Sequence, residues 1–413
     1  MKTPSSGRDR AESCKVLLVH NYYQQAGGED QVYADERELL KSHGHQVSEL
    51  TVDNAEIAAA TGPLGKLKLA GSTIWSASGY RQVAERVARD RPDIVHFHNT
   101  FPLISPAAYY AARRGGAAVV QTLHNFRFIC PGALLFREGK VCELCISRLL
   151  PLPAVKHGCY RASRSATGAV AAMLATHRLS RTYRRAVDAY IALTEFARGK
   201  FIQGGLPADR LLVKPNFVSP APKVGAGEGG YALFCGRLSP EKGVLLMLSA
   251  WEQLGAAAPP LMIAGDGPLR EEISRRAETL PMVRLLGRVD GPTVTQLMGA
   301  ASFLVFPSLW YEGLPKVIIE AFAGATPVVA AGHGAMTSLV EHGHNGLLYP
   351  PDNAKALSEH IRWLVADPQR AAAMRPLARQ TFEQRFTAAA NYTQLLSIYE
   401  AALNQRHRFG RLL

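Results

Sequence analysis

Two carboxylates eight positions apart, Glu312 and Glu320, sit in the segment FPSLWYEGLPKVIIE (306–320). Glu312 precedes Gly313-Leu314-Pro315, the lead-in to a helix, and Pro315 suits a first helical turn. Glu320 then falls inside that helix, so a loop carboxylate and a helix carboxylate can face one ligand from two heights. Upstream, Gly236-Arg237-Leu238-Ser239-Pro240-Glu241-Lys242-Gly243 sets a guanidinium and an ammonium five residues apart around a turn. A fixed fork and a mobile point charge together suit a pyrophosphate. Gly265-Asp266-Gly267-Pro268 is a second tight turn, and Gly287-Arg288 a third glycine–cation pair. In the first half, His20-Asn21, His98-Asn99 and His124-Asn125 repeat one dipeptide, which offers imidazoles for acid–base work beside amides for orientation. Gly27-Gly28 leads into a helix starting near Glu29, a place where backbone N–H groups can meet an anion.

These residues need elements to hold them. Short apolar runs recur at 16–19, 94–97, 118–123 and 190–193, then at 231–235, 261–264, 283–286, 303–306 and 327–330. Longer helical patterns separate them. Near-continuous apolar runs fit strands buried on both faces of a parallel sheet, and the alternation gives βαβ units. In such sheets ligands bind beyond the carboxyl ends of the strands, which is where the polar residues above fall. Residues 214–230, rich in Pro and Gly, interrupt the pattern and read as a linker. The expected organisation is a disordered 1–13, a first α/β domain over 14–215 with a Cys-rich insertion at 127–165, a linker at 216–230, a second α/β domain over 231–385, and a helix and tail at 386–413. Tyr392, Leu395, Leu396 and Tyr399 share one face of that last helix.

The 413 residues, 47% hydrophobic and 20% charged, exclude a disordered or fibrous chain. No run of about 18 apolar residues predicts a membrane span, and the start MKTPSSGRDRAESCK has no apolar signal region. Charge is uneven: residues 1–225 carry 30 Lys+Arg against 18 Asp+Glu, the remainder 17 against 16. No acid occurs from Leu144 to Val187, where eight Lys and Arg fall. That asymmetry admits a phosphorylated substrate, an anionic membrane surface or nucleic acid as partner, or simply a solvated basic face. No RNA-binding aromatic motif or Cys₂His₂ finger is present, so nucleic acid is not expected. Cys130, Cys142, Cys145 and Cys159 lie within thirty residues, with a CxxC at 142–145. Four thiolates would hold a structural Zn²⁺ with no open position; a redox pair or unpaired thiols are the alternatives.

The Glu312-x7-Glu320 segment PSLWYEGLPKVIIEAFAGATPVVA, with GRLSPEKG and IAGDGPL in order before it, resembles glycosyltransferase family 4. The resemblance runs over about 15–400, and HNYYQQAGGEDQVYADERELLKSHGHQV and TLHNFRFICPG look like its polysaccharide-assembly branch. It implies the GT-B fold: two Rossmann-like domains facing across a cleft, with a C-terminal helix crossing back. It implies retaining transfer of a hexosyl unit from a nucleotide sugar to a glycan or lipid-linked acceptor, as in exopolysaccharide synthesis, by an enzyme of the cytoplasm or the inner membrane face. Arg237 and Lys242 would hold the donor diphosphate, so no catalytic metal or other cofactor is expected. Glu320 would bind the ribose. Glu312 and the backbone at Gly313, Leu314, Pro315 and Lys316 would meet the sugar and diphosphate, His124 would lie near the reacting sugar, and Gly27 and Gly28 near the diphosphate or acceptor. Gly236, Gly265, Gly267 and Arg288 complete the donor-side set. Lys316 departs from the family, which more often has an uncharged residue there. The competing readings are a nucleotide-sugar epimerase or phosphorylase on the same fold, and a basic membrane- or nucleic-acid-binding protein.

Overall fold

A computed structural model describes residues 14–23, 27–54 and 62–409, so the expectation for residues 1–13 lies outside the described residues. The chain divides into two compact units. One runs within Met1–Leu135, Glu143–Pro215 and Asn391–Leu413, the other over Phe136–Cys142 and Asn216–Ala390.

The first unit holds β1 (Lys15–Tyr22), β2 (Gln46–Asp53), β3 (Ile94–Phe97), β4 (Ala118–Leu123), β7 (Ala189–Ala192) and β8 (Leu211–Val213). They form one sheet in the order β2-β1-β3-β4-β7-β8, and every neighbouring pair is parallel. The second unit holds β9 (Ala232–Cys235), β10 (Leu261–Ala264), β11 (Val283–Gly287), β12 (Phe303–Phe306), β13 (Val328–Ala331) and β14 (Gly346–Tyr349), in the order β11-β10-β9-β12-β13-β14. These pairs are parallel too. A hairpin, β5 (Phe136–Arg137) with β6 (Lys140–Val141), is antiparallel.

Strand order reverses between β1 and β3 in the first sheet and between β9 and β12 in the second. At such a switch point the connections leave to opposite sides and open a crevice beyond the strand ends. The central strands β3, β4, β7, β12 and β13 are buried at every residue, which explains their unbroken apolar runs. Other strands depart from that pattern, β11 with two exposed residues among them. β2 is only partly buried, β8 is three residues long, and β14 carries a glycine and a tyrosine at its ends.

Helix ends follow from local chemistry. Ser76, Ser163, Thr194, Asp290 and Asn353 each accept a backbone N–H of the first turn that follows them, satisfying one otherwise orphaned donor. The Cys-rich region is more structured than its sequence suggests, because the β5–β6 hairpin and helix Leu152–His157 lie within it and helix Arg164–Leu179 starts at its end. The terminal helix Ala388–Phe409 places Leu395, Ile398, Tyr399 and Ala402 in one apolar core with Val16, Leu18, Ile94 and Ile191 of the first sheet. In the second unit Trp251, Phe303, Leu248 and Ile361 share a core across the sheet and its helices.

Candidate functional site

In the second unit the turns after β9, β10 and β12 meet backbone to backbone. Gly236 N–H donates to Ala264 O at 3.0 Å and Leu238 N–H to Asp266 O at 2.9 Å. A Cβ on Gly265 would lie 1.8 Å from Gly236 O, and one on Gly267 2.5 Å from Leu238 O. Glycine at these two positions is thus a packing requirement. Gly243, at φ +68°, ends a short 3₁₀ turn (Pro240–Lys242) and opens the helix Val244–Leu254. Its absent Cβ would collide with Pro307 O at 1.9 Å, which seats the β9 turn against the end of β12.

That contact brings Lys242 to Glu312. Lys242 Nζ donates to Glu312 Oε1 at 2.7 Å, and the same oxygen accepts from Ser308 Oγ at 2.8 Å and Trp310 Nε1 at 2.6 Å. Glu312 is buried, whereas Lys242 keeps 22% of its side chain exposed, beside the Trp310 ring at 5.3 Å. Two residues assigned neighbouring roles from sequence are therefore paired directly at the switch point. Arg237 is exposed on the same turn.

Pro315 occupies the N-cap position of helix Lys316–Ala323, so Lys316 is its first residue and Glu320 lies a turn further on, half-buried. Glu320 also stands near the end of β9: burial pushes the Cys235 thiol up to about 11, and the Glu320 charge adds to that. Gly313 and Leu314 form the backbone between the two carboxylates, and Asn216 Nδ2 donates to Leu314 O at 3.3 Å. Arg288 differs from the rest. It is exposed beyond β11, the edge strand, two strands from β9, or roughly 10 Å at the usual spacing.

In the first unit the strand-end imidazoles form one connected group. His20 lies inside β1 rather than after it, pairs with Asp30 Oδ1 at 2.8 Å, and stacks on Tyr33 at 4.7 Å. His98 Nδ1 meets His124 Nε2 at 3.1 Å. Burial and the neighbouring imidazoles hold the His124 pKa well below the usual range and bring His98 to about 4, so both rings are neutral at pH 7. A cavity of about 30 Å³, lined by His98, His124 and Asn125 among others, leaves room for about one water there.

Behind these rings lies a charge to which the sequence motifs assign no role. Glu36 Oε1 is 3.0 Å from His96 Nδ1 and 3.3 Å from His98 Nε2, and Glu36 Oε2 accepts from Lys214 Nζ at 2.7 Å. Burial alone would raise the Glu36 carboxyl; Lys214 and the imidazoles outweigh it and hold it well below the usual carboxylate range. Lys214 also donates to Asn391 at 3.1 Å, and His96 is bonded to Tyr399 and Thr122. The signal was present: Glu36 falls on the buried stripe of helix Gly28–Ser42 with Val32, Tyr33, Leu39 and Leu40, a place an acid takes only when paired.

Glu29 has no role in those motifs either. Its two oxygens accept from Asn99 Nδ2 and Asn125 Nδ2, both at 3.3 Å, so two of the three His-Asn pairs converge on it. Burial and Asp30 push its carboxyl up to about 8. Gly27 N–H donates to Asp30 Oδ2 at 2.9 Å, which closes the first turn of helix Gly28–Ser42. At the end of β7, Thr194 caps helix Glu195–Gln203, its Oγ1 accepting from Ala197 N–H.

Among the described residues, the one group of three or more metal-ligating side chains with donor atoms within 4.8 Å of one another is Glu36, His96 and His98. The Lys214 ammonium already supplies its positive charge. Among the described residues, Cys130, Cys142, Cys145 and Cys159 do not form such a group.

The family model for glycosyl transferases group 1 matches residues 229–367, and that for a glycosyl transferase 4-like domain matches 27–216. A D-rhamnosyltransferase of Pseudomonas aeruginosa is 33% identical over 162 residues, 38% of this chain and 42% of the relative. A phosphatidyl-myo-inositol mannosyltransferase of Mycolicibacterium smegmatis is 28% identical over 53% of this chain and 59% of its own length. The matched stretch thus spans well under two thirds of such relatives. Among solved structures, Anabaena HepE in complex with UDP superposes with TM-score 0.66 at 20% identity over 93% of this chain and 98% of that one. Sucrose-phosphate synthase of Thermosynechococcus elongatus gives 0.68 at 17% identity over 96% and 100%. With its two Rossmann-like sheets and both family models matched in succession, the chain belongs to the glycosyltransferases of the family 4 type, on the GT-B fold.

Proposed function

We propose that the protein transfers a sugar from a nucleotide-sugar donor, with retention, to a lipid-linked acceptor in cell-surface glycan assembly. The observation that carries this reading is the Lys242–Glu312 pair at the β9/β12 switch point, with Arg237 on the same turn and Glu320 beside the end of β9. The donor would lie along that edge, its ribose on Glu320, its diphosphate on Arg237 and Lys242, and its sugar toward Glu312. Two cations at the leaving diphosphate supply the charge stabilisation that such a transition state needs. Complexes of Anabaena HepE with UDP and with UDP-glucose support a nucleotide-sugar donor, and the phosphatidyl-inositol relative supports a lipid acceptor. Neutral His124 is assigned to the sugar step, where an uncharged imidazole can exchange a hydrogen bond with a hydroxyl.

No described helix is long and apolar enough to cross a membrane. The acid-free basic stretch at 144–187 supports reversible association with an anionic membrane face, at about 1 kcal/mol per engaged cation. A panel of nucleotide sugars scored by thermal shift tests the donor. One of them should raise the melting temperature of the wild type and not that of Arg237→Ala, since a ligand at 100 times its Kd stabilises by about 2.7 kcal/mol. A panel that leaves the wild type unmoved overturns the reading.

A further inference from the structure

A groove of about 690 Å³ runs along the first unit between helix Gly62–Ile74 and helix Arg164–Leu179. Its size falls in the range of small-molecule sites, roughly 300–1,000 Å³. Leu69 and Ala70 form one wall, Ala169 and Val170 the other, and among the described residues no acidic side chain lines it. Phe101 and Tyr160, packed edge to face at 5.5 Å, close one side. Cations bracket that aromatic pair: Arg127 lies 4.3 Å over the Phe101 ring and 4.9 Å over Tyr160, and Arg161 lies 5.6 Å over Tyr160. Lys66 and Arg161, both exposed, line the groove as well. The groove therefore joins an apolar trough to a cationic margin, and one of its walls falls in the stretch 144–187, which carries no acid.

We infer that this groove binds a single amphiphile, its hydrocarbon chain between the two helices and its phosphate-type head on Lys66 and Arg161. Apolar walls alone would accept any hydrophobe. The two cations and the absence of opposing acids select an anionic head, and the trough selects one chain rather than a bilayer plane. The inference rests on the proposed lipid-linked acceptor and adds where its chain and phosphate are held.

Gly168 makes the site testable. It lines the groove from the middle of its helix, and an added Cβ would meet nothing within 4 Å. Gly168→Leu fills the trough, and leucine favours a helix more than glycine does, so its melting temperature should equal or exceed that of the wild type.

Dodecyl phosphate, kept below its micelle concentration and titrated calorimetrically into the full chain, is the probe. Wild type should bind it. Gly168→Leu and Lys66→Ala/Arg161→Ala should each bind at least tenfold more weakly, and inorganic phosphate should give no signal. Absence of binding by wild type, or equal binding by Gly168→Leu, overturns the inference. Gly168→Leu binding anionic vesicles as well as wild type, while dodecyl phosphate binds neither, would assign the basic face to a membrane surface instead. The nucleotide-sugar thermal shift, run on the same variants, separates the two readings. A retained donor shift with no amphiphile binding removes this site alone, and amphiphile binding with no donor shift leaves the site and removes the proposed transfer.

Discussion

Glu312→Gln separates two roles that the Lys242–Glu312 contact joins. Glutamine keeps the shape, and its amide oxygen can still accept from Ser308 and Trp310, which now donate at 2.8 and 2.6 Å. What it removes is the negative charge 2.7 Å from the Lys242 ammonium. A hydrogen bond to a charged group contributes about 1.5–3 kcal/mol, and Lys242 at 22% exposure recovers part of that from water. The expected loss of stability is about 1–2 kcal/mol, or a few degrees in melting temperature for a unit of this size. A full truncation, Glu312→Ala, strands all three donors and should cost about 3–5 kcal/mol. The functional effects should run in opposite directions. On the proposed donor placement a nucleoside diphosphate would compete with Glu312 for Lys242, so removal of the competitor should leave its Kd unchanged or tighten it. The sugar step would lose a group placed toward the transferred sugar, so turnover should fall at least 100-fold, by analogy with one lost oxyanion donor at about 3–4 kcal/mol. Calorimetry gives the Kd and nucleotide release the turnover. Glu312→Gln with wild-type turnover, or with nucleoside diphosphate affinity reduced tenfold, would refute the reasoning.

Glu29 and the Glu36–Lys214 pair give two stability predictions. The Glu29 carboxyl sits at about 8 in the fold against about 4.5 when free, so between those values the native state holds a proton that the unfolded chain has lost. Its contribution therefore falls as pH rises through that window. Glu29→Gln should gain on wild type from pH 5 to 8.5, by on the order of 1–3 kcal/mol, in chemical melts at each pH; parallel curves would show that Glu29 titrates normally. Lys214→Met leaves Glu36 buried and uncompensated and should cost about 3–5 kcal/mol, while adding Glu36→Leu should recover most of it. Equal melts for Lys214→Met and the double variant would show that the two charges are not coupled.

How far the sequence could be read follows from what each element asks of its residues. Strands buried on both faces must be apolar throughout, so β3, β4, β12 and β13 stand out as runs. β2 is half exposed and reads QVSELTVD, and β8 has three residues, so neither satisfies a run criterion. The donor-side motifs were legible because their spacing is local: the glycines fix turns, and the turns place Lys242 and Glu312. Glu36, Lys214 and His96 were not, because their partners lie up to 303 positions apart in the chain and meet only when the helices dock on the sheet. The CxxC at 142–145 is a local spacing too, whereas Cys130 and Cys159 come near one another only around Gly132, where an added Cβ would lie 3.8 Å from Cys130 Sγ and 3.5 Å from Cys159 Cβ.

The two units place their charges according to different rules. In the first, Glu36 and Lys214 are fully buried, with side-chain exposures of 0% and 2%. A pair so enclosed cannot be offered to a ligand without exposing a bare charge, so it serves to fix the backs of His96 and His98. In the second, Lys242 is the partly exposed member of its pair and Arg237 is exposed beside it. An ammonium held by its own carboxylate until an anion arrives needs little reorganisation to exchange one oxygen for another. On the proposed donor placement, the exchange would free Glu312 as the diphosphate binds, with the attached sugar next to it. Donor binding and readiness of the sugar site would thereby be linked through one ammonium. Lys242 substitution should then damage both steps, whereas Arg237 substitution should weaken chiefly the first.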